Sequence, residues 1–260
     1  MEVVIVDSAR EAGRIAADAI AELYAANPRA VLGVATGSSP LTIYRELAER
    51  VTTGDLSLAE ARAFMLDEYV GLAEEHPQRY RNVIDRDFVS KLDIDPANVS
   101  GPDGQADDLV AECAAYEQAI SAAGGIDLQI LGVGADGHIA FNEPGSSLGS
   151  RTRIKTLTRQ TRTDNARFFD DIEAVPHHCL TQGLGTIMQC RHALLVATGR
   201  HKAEAVHHVV EGPITAMWPG SVLQLHPHVT VILDRPAASR LQLATYYEEA
   251  YRAKPPWQQL

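Results

Sequence analysis

Short apolar runs alternate with amphipathic stretches along most of this 260-residue chain, and that alternation restricts its fold more than any other feature. Val3 to Val6, Ala30 to Ala35, Arg62 to Leu66, Ile126 to Leu131, His192 to Ala197 and Val229 to Leu233 read as strands. Residues 8–27, those from Pro40 onward, 107–123, 202–210 and 237–251 read as helices. In the first of these, Ala12, Ile15, Ala16, Ala19 and Leu23 recur at three- and four-residue steps behind Ser8, a suitable N-cap, and the run stops before Pro28. Such alternation builds an α/β fold with a mostly parallel sheet and helices on both faces. With no repeat, low-complexity tract or composition break to mark a linker, one domain over 1–260 is expected. The stretch from Gly145 to Gln189 is the least regular, and a lid is expected over about 155–190.

Charge narrows the partners. Acidic residues outnumber basic ones by 34 to 23, a formal charge of −11, which argues against a nucleic-acid or anionic-membrane surface. It leaves room for a phosphorylated ligand, because a few local cations and backbone amides hold one phosphate. Cys113, Cys179 and Cys190 form no C-x-x-C pair and read as reduced, buried thiols. The amino-terminal apolar run is too short for a signal peptide, and no run approaches the roughly 18 residues of a membrane helix. A soluble, cytoplasmic protein is expected.

In open sheets of this kind ligands sit beyond the carboxyl ends of the strands, and several motifs fall there. Thr36-Gly37-Ser38-Ser39-Pro40 lies between a strand and a helix; Gly37 permits a close backbone approach, Ser39 suits an N-cap and Pro40 the first helical position. Free amides at such a helix start attract an anion, though the same residues also make an ordinary strand–turn–helix junction. Thr198 to Lys202 occupies a similar junction. A lysine in a first helical turn opposes the helix dipole unless an anion is present, and it reads otherwise as a solvated side chain.

Two further segments carry proton chemistry. Asp67-Glu68-Tyr69 follows the third strand, placed either to act on a ligand or to cap a helix. Gly132 to Pro144 packs three glycines with Asp136, His138 and Glu143, so that tight turns can bring two carboxylates and an imidazole together. A histidine oriented by a carboxylate moves protons near neutral pH. Gly-x-Gly-x-x-Gly in this segment comes late in the chain and leads into no clear helix, against a dinucleotide site. Neither His-Glu-x-x-His nor a matched ligand set exists for zinc, so no metal or other cofactor is expected.

Asp67-Glu-Tyr-Val-Gly-Leu, Asp136-Gly-His138-Ile-Ala-Phe-Asn-Glu143-Pro, Ser150-Arg-Thr-Arg153-Ile-Lys155-Thr and Ser221-Val-Leu-Gln-Leu-His together resemble the glucosamine-6-phosphate deaminase family, in the family's order, from Leu32 to about Tyr247. The resemblance implies a Rossmann-like fold shared with 6-phosphogluconolactonases. It implies isomerisation and deamination of glucosamine 6-phosphate to fructose 6-phosphate and ammonia. By it Asp67 is the base at C2, His138 opens the sugar ring, and Asp136 and Glu143 flank and support that histidine. Thr36, Gly37, Ser38, Ser39, Arg167 and Lys202 match phosphate-binding positions. Ser146, Arg153 and Lys155 match positions that bind N-acetylglucosamine 6-phosphate in allosteric members, with a homo-oligomer implied; they also read as charges solvating an edge strand. A lactonase needs no base at C2, and a sugar-phosphate sensor coupled to transcription needs a DNA-binding segment that the first 30 residues do not suggest.

Overall fold

The computed structural model describes residues 1–255, 257, 258 and 260. The alternation resolves into β1 (Glu2–Val6), α1 (Ala9–Ala26), β2 (Val31–Val34), α2 (Leu41–Thr53), β3 (Arg62–Met65), β4 (Asp67–Tyr69), α3 (Tyr80–Asp87) and β5 (Val99–Ser100). Then follow α4 (Leu109–Ala122), β6 (Leu128–Leu131), β7 (Arg153–Thr156), α5 (Arg159–Asn165), β8 (His178–Thr181), α6 (Leu184–Ile187), β9 (His192–Ala197), α7 (Ala203–Val210), β10 (Val229–Asp234) and α8 (Ala244–Arg252).

Seven strands form one sheet in the order β1-β10-β9-β6-β2-β3-β5, every pairing parallel. β2, β6, β9 and β10 are buried along their whole length, which explains why they read as continuous apolar runs. From β2 the chain steps outward to β3 and β5, then returns to β6 on the other side of β2 and works back toward β1. Right-handed crossovers place α1 and α2 on one face and, after that reversal, α4 and α7 on the other. The turning point between β2 and β6 leaves a crevice beyond their carboxyl ends.

A second sheet went unread in the sequence. β4, β8 and β7 pair antiparallel in that order, Asp67 opposite Thr181 and Lys155 opposite Cys179. Its strands are short, mixed in polarity and more than eighty residues apart at the first pairing, so neither period nor proximity announces them. The expected irregular stretch from Gly145 to Gln189 therefore divides. β7, β8 and α6 belong to the packed body, with Cys179, Leu180, Leu184 and Ile187 fully buried. Only residues from about 158 to 177 lie outside it, on a small core of Tyr69, Leu72, Phe141, Leu157, Val175 and Cys179. The expected lid of 155–190 is too long at its far end, because β8 is the central strand of the second sheet.

Helix starts were read with mixed success. Ser8 caps α1 by accepting the Glu11 amide at 3.1 Å. Ser39 caps nothing: Pro40 takes the cap position of α2, with no side-chain cap bond. The last helix begins at Ala244 rather than 237, because the Asp234 carboxylate accepts the Ala237 amide at 2.8 Å and holds a turn there. All three cysteines are buried and unpaired, and no described helix is long and apolar enough to cross a membrane.

Gly33 on β2 lies opposite Gln129 on β6, whose fully buried side chain crosses it; a Cβ at 33 would sit 2.0 Å from Gln129 Oε1. Gly33→Ala should therefore cost about 1–3 kcal/mol through overpacking. The check is a melting curve, where a drop of several degrees is expected and an unchanged midpoint would mean that Gln129 swings aside freely.

Candidate active site

The crevice at the turning point is a cavity of about 530 Å³. Loop 35–39 after β2, Leu66 and Asp67 after β3, and loop 132–135 with His138 after β6 form its floor; Arg167 and Lys202 close one side. The first and third of these loops touch, since a Cβ on Gly132 would stand 3.3 Å from Ser39 Oγ.

Asp67 and Glu68 point opposite ways because β4 is extended and its side chains alternate. Glu68, 1% exposed, accepts the amides of Tyr69, Tyr80 and Arg81, each at 2.8 Å, and so anchors the start of α3. Burial pushes its carboxyl up, and those amides pull it partly back. Asp67 faces the cavity, and no hydrogen-bond donor among the described residues stabilises its charge. Burial, with Glu68 adding repulsion, pushes it up from 3.8 to about 8. The acidic pair thus divides between the two placements that the sequence left open: Glu68 holds a helix start and Asp67 lines the cavity.

His138 meets its carboxylate locally. Its Nδ1 lies 2.6 Å from Asp136 Oδ1, and the His138 amide donates to the same oxygen at 3.3 Å. Burial pushes the Asp136 carboxyl up, but the hydrogen bond and charge of His138 outweigh it and hold the group below its ordinary range. With Nδ1–H held by Asp136, Nε2 is the free basic nitrogen. Two glycines make room for this pair. A Cβ on Gly134 would strike the imidazole at 2.2 Å, and Gly137 has φ of +80° with Trp218 packed against it.

The residues expected to bind phosphate come to the cavity from both halves of the chain. Thr36, Gly37, Ser38 and Ser39 present a glycine with φ of +90° and hydroxyls to the cavity. Lys202 caps α7 after a tight turn rather than lying inside the helix. Burial and then the nearby Arg167 charge lower its ammonium, so a half-buried lysine faces repulsion from an exposed arginine. An anion between them removes that conflict. Arg167 stacks over Phe168, 4.6 Å from the ring centroid, and Phe169 packs edge-on against Tyr69 at 5.7 Å.

Not every expected residue comes to the cavity. Glu143 is buried but turned away from His138; its carboxylate accepts the Thr158 amide at 3.0 and 3.1 Å and the Thr158 hydroxyl at 3.1 Å. Thr158 is the N-cap of α5, so Glu143 supports the segment bearing Arg167 rather than the imidazole. Ser146, Arg153 and Lys155 lie outside the cavity lining. Arg153 and Lys155 share the half-buried face of edge strand β7, and the Ser146 hydroxyl is buried without a partner. Tyr80, Asp164, Asn165 and His201 line the cavity and were not singled out in the sequence. His201 beside Lys202 carried a usable signal; Tyr80 carried none, because tertiary contacts with Glu68, Tyr69 and Phe141 place it. Among the described residues no three His, Cys, Asp or Glu side chains converge as metal ligands.

Comparison with known proteins bears on this geometry. The model of the family described as glucosamine-6-phosphate isomerases/6-phosphogluconolactonase matches residues 6–232. Curated relatives include glucosamine-6-phosphate deaminases of Mycolicibacterium smegmatis, 66% identical over 259 residues and 99% of each chain, and of Beutenbergia cavernae, 64% identical over 261 residues and the whole of each. Among solved structures, a monomeric glucosamine-6-phosphate deaminase superposes with a TM-score of 0.90 at 43% identity, over 92% of this chain and 100% of that one. A 6-phosphogluconolactonase from Trypanosoma cruzi, at 22% identity, gives 0.76 over 93% and 97% and shares the fold.

The buried Asp67 has a consequence for stability. Its folded value of about 8 lies above the unfolded value of ~3.9. Below pH ~4 it is neutral in both states and costs nothing. Between pH ~4 and 8 the unfolded chain ionises first, so stability falls as pH rises, by on the order of 5 kcal/mol at 1.36 kcal/mol per unit. Asp67→Asn should hence melt well above the wild type at pH 9 and close to it at pH 4. A difference independent of pH would rule out ionisation of Asp67 as its source.

Proposed function

Because this chain belongs to the family of glucosamine-6-phosphate isomerases and 6-phosphogluconolactonases, we propose that it converts glucosamine 6-phosphate and water to fructose 6-phosphate and ammonia. The observation that carries this reading is a single cavity holding a desolvated carboxylate, a carboxylate-oriented imidazole and a cationic anion pocket.

The phosphate lies against Thr36 to Ser39 with Lys202 and Arg167, and this anchorage orients the sugar over the base. His138 Nε2 takes the proton of the anomeric hydroxyl and returns one to the ring oxygen as the C1–O5 bond breaks. Asp136 stabilises the transient imidazolium. The open-chain aldehyde acidifies C2, and Asp67 takes that proton and delivers it to C1. The amine at C2 becomes an imine, water adds to it, and ammonia leaves with the ketose formed. A base near 8 is strong enough to attack a carbon acid yet partly ionised at neutral pH. Glu143 acts at one remove, holding the cap of α5.

Residues 158–177, resting on their own small core, form a lid over this site. Arg153, Lys155 and Ser146 form an effector site for N-acetylglucosamine 6-phosphate at a contact between copies of the chain, supported by the two cations on β7 and the unpartnered Ser146 hydroxyl. The 43% identical neighbour is itself a monomer, so the assembly reading stands on these residues alone.

The primary assay is ammonia release from glucosamine 6-phosphate. Asp67→Asn should abolish it together with exchange of the C2 hydrogen with solvent, and near-wild-type exchange would remove Asp67 from its role. In the unmodified protein kcat/KM should rise from pH 6 toward 8 as Asp67 ionises. The effector reading predicts that N-acetylglucosamine 6-phosphate lowers half-saturation by roughly 5- to 150-fold. Lys155→Ala should abolish that shift and spare the unstimulated rate, while an unresponsive wild type would leave β7 with solvated charges.

A further inference from the structure

Asn142 is fully buried and absent from the cavity lining, yet all of its polar atoms are engaged. Nδ2 donates to Ile139 O at 3.1 Å and to Gln182 O at 2.7 Å; Oδ1 accepts from Arg153 Nη1 at 2.9 Å. Two carbonyls require the amide nitrogen and a guanidinium requires the oxygen, so the neighbours fix the carboxamide in one orientation.

What it closes is a strained turn. Ala140 has φ of +50°, the one non-glycine residue with positive φ among the described residues. It lines the cavity two residues after His138. An alanine resists this conformation, so surrounding contacts must impose it. The Ile139 carbonyl closes the turn by accepting the Asn142 amide at 3.2 Å, the Asn142 carboxamide adds a second donor to the same oxygen, and Thr181 Oγ1 helps by accepting the Phe141 amide at 3.1 Å. The far end of the bracket reaches the strand of the base. The Gln182 amide donates to Leu66 O at 2.8 Å and its Nε2 to Met65 O at 3.0 Å, the two residues before Asp67. Thr181 itself pairs with Asp67 across the second sheet.

We propose that Asn142 is a positioning residue for this reaction: its carboxamide holds the left-handed turn at Ala140 and ties the loop of His138 to the strand of Asp67. Acid and base act on one sugar in succession, C1–O5 cleavage first and C2 deprotonation second. Their separation must therefore suit one bound orientation, and a shift near 1 Å is enough to harm turnover. The phosphate pocket draws nothing from this bracket, so binding should suffer less than turnover.

The role rests on the deamination proposed above, and its test keeps the two apart. Asn142→Ala and Asn142→Asp are made in the full chain, and ammonia release is measured per folded molecule, counted by circular dichroism. Asn142→Ala should lose ~10²-fold in kcat with KM held within about threefold. Asn142→Asp keeps the size and the Arg153 contact, Arg153 being the charged group that faces it, so it reports even where the alanine variant fails to fold. Ionised, it sets oxygen against two carbonyls; protonated, it regains a donor. Its kcat relative to wild type should thus climb as pH falls toward about 5. Wild-type turnover with both variants within about threefold of it, or an aspartate deficit equal at every pH, would overturn the role of Asn142 alone. A wild type that releases no ammonia would overturn both claims.

Discussion

Growth of the main sheet reverses between β2 and β6, and the rest of the site depends on that reversal. Elsewhere a strand hands its chain to a helix that folds back over the sheet and covers the junction. Here the two outgoing chains leave toward opposite faces, so their first residues diverge and open a crevice that no crossover can fill. Thr36 to Ser39 leave one wall and Gly132 to Ala135 the other. Small residues are required on both because the walls meet at their base, where a side chain on Gly132 would press on Ser39. Backbone amides and hydroxyls can then approach a ligand that bulkier residues would exclude.

Into this crevice the second sheet inserts a charge that folding alone would not favour. β4 continues the chain of β3 beyond the main sheet, and its alternation sends Asp67 inward and Glu68 out to α3. Among the described residues Glu68 receives three backbone donors and Asp67 none, so two adjacent buried carboxylates differ in how their charge is supported. Giving Asp67 a donor would stabilise its charged form in the fold and lower its affinity for a proton. The fold tolerates the unsupported carboxylate because β8 holds its backbone on one side and Gln182 fixes the two residues before it.

How much of this was legible in the sequence follows from the range of each interaction. β2, β6, β9 and β10 were legible because each is buried along its whole length and so carries an apolar run, whereas the two-residue β5 is too short to carry one. Asp136 with His138 was legible because two residues and a glycine hold the entire contact. Glu143 was placed beside the imidazole on the strength of its nearness in sequence. Its real partner, Thr158, becomes a neighbour only when β7 pairs with β8. The second sheet, Tyr80 and Asn142 depend likewise on contacts between distant segments, and no local period encodes them. Ser39 was misread in the opposite direction: a good capping residue has no capping bond because Pro40 already supplies the helical turn.

The two cations of the anion pocket belong to parts of the molecule with different support. Lys202 stands at the start of α7, packed on the main core, whereas Arg167 rides on the segment that rests on the smaller one. Glu143 grips the cap of that segment, and buried Arg162 pins its far loop by donating to Ile172 O at 2.7 Å and Val175 O at 3.2 Å. These bonds tie both ends of the segment to buried groups. Without an anion, bringing Arg167 toward Lys202 works against their repulsion, which adds to burial in lowering the lysine. A phosphate between them turns the same approach into attraction. A ligand shifts a conformational balance only through such a difference in affinity, and here the substrate's own anchor supplies it. The proposed lid would then need no separate trigger: occupancy of the proposed phosphate site would favour a closed position, and departure of the ligand would restore the repulsion that opens it.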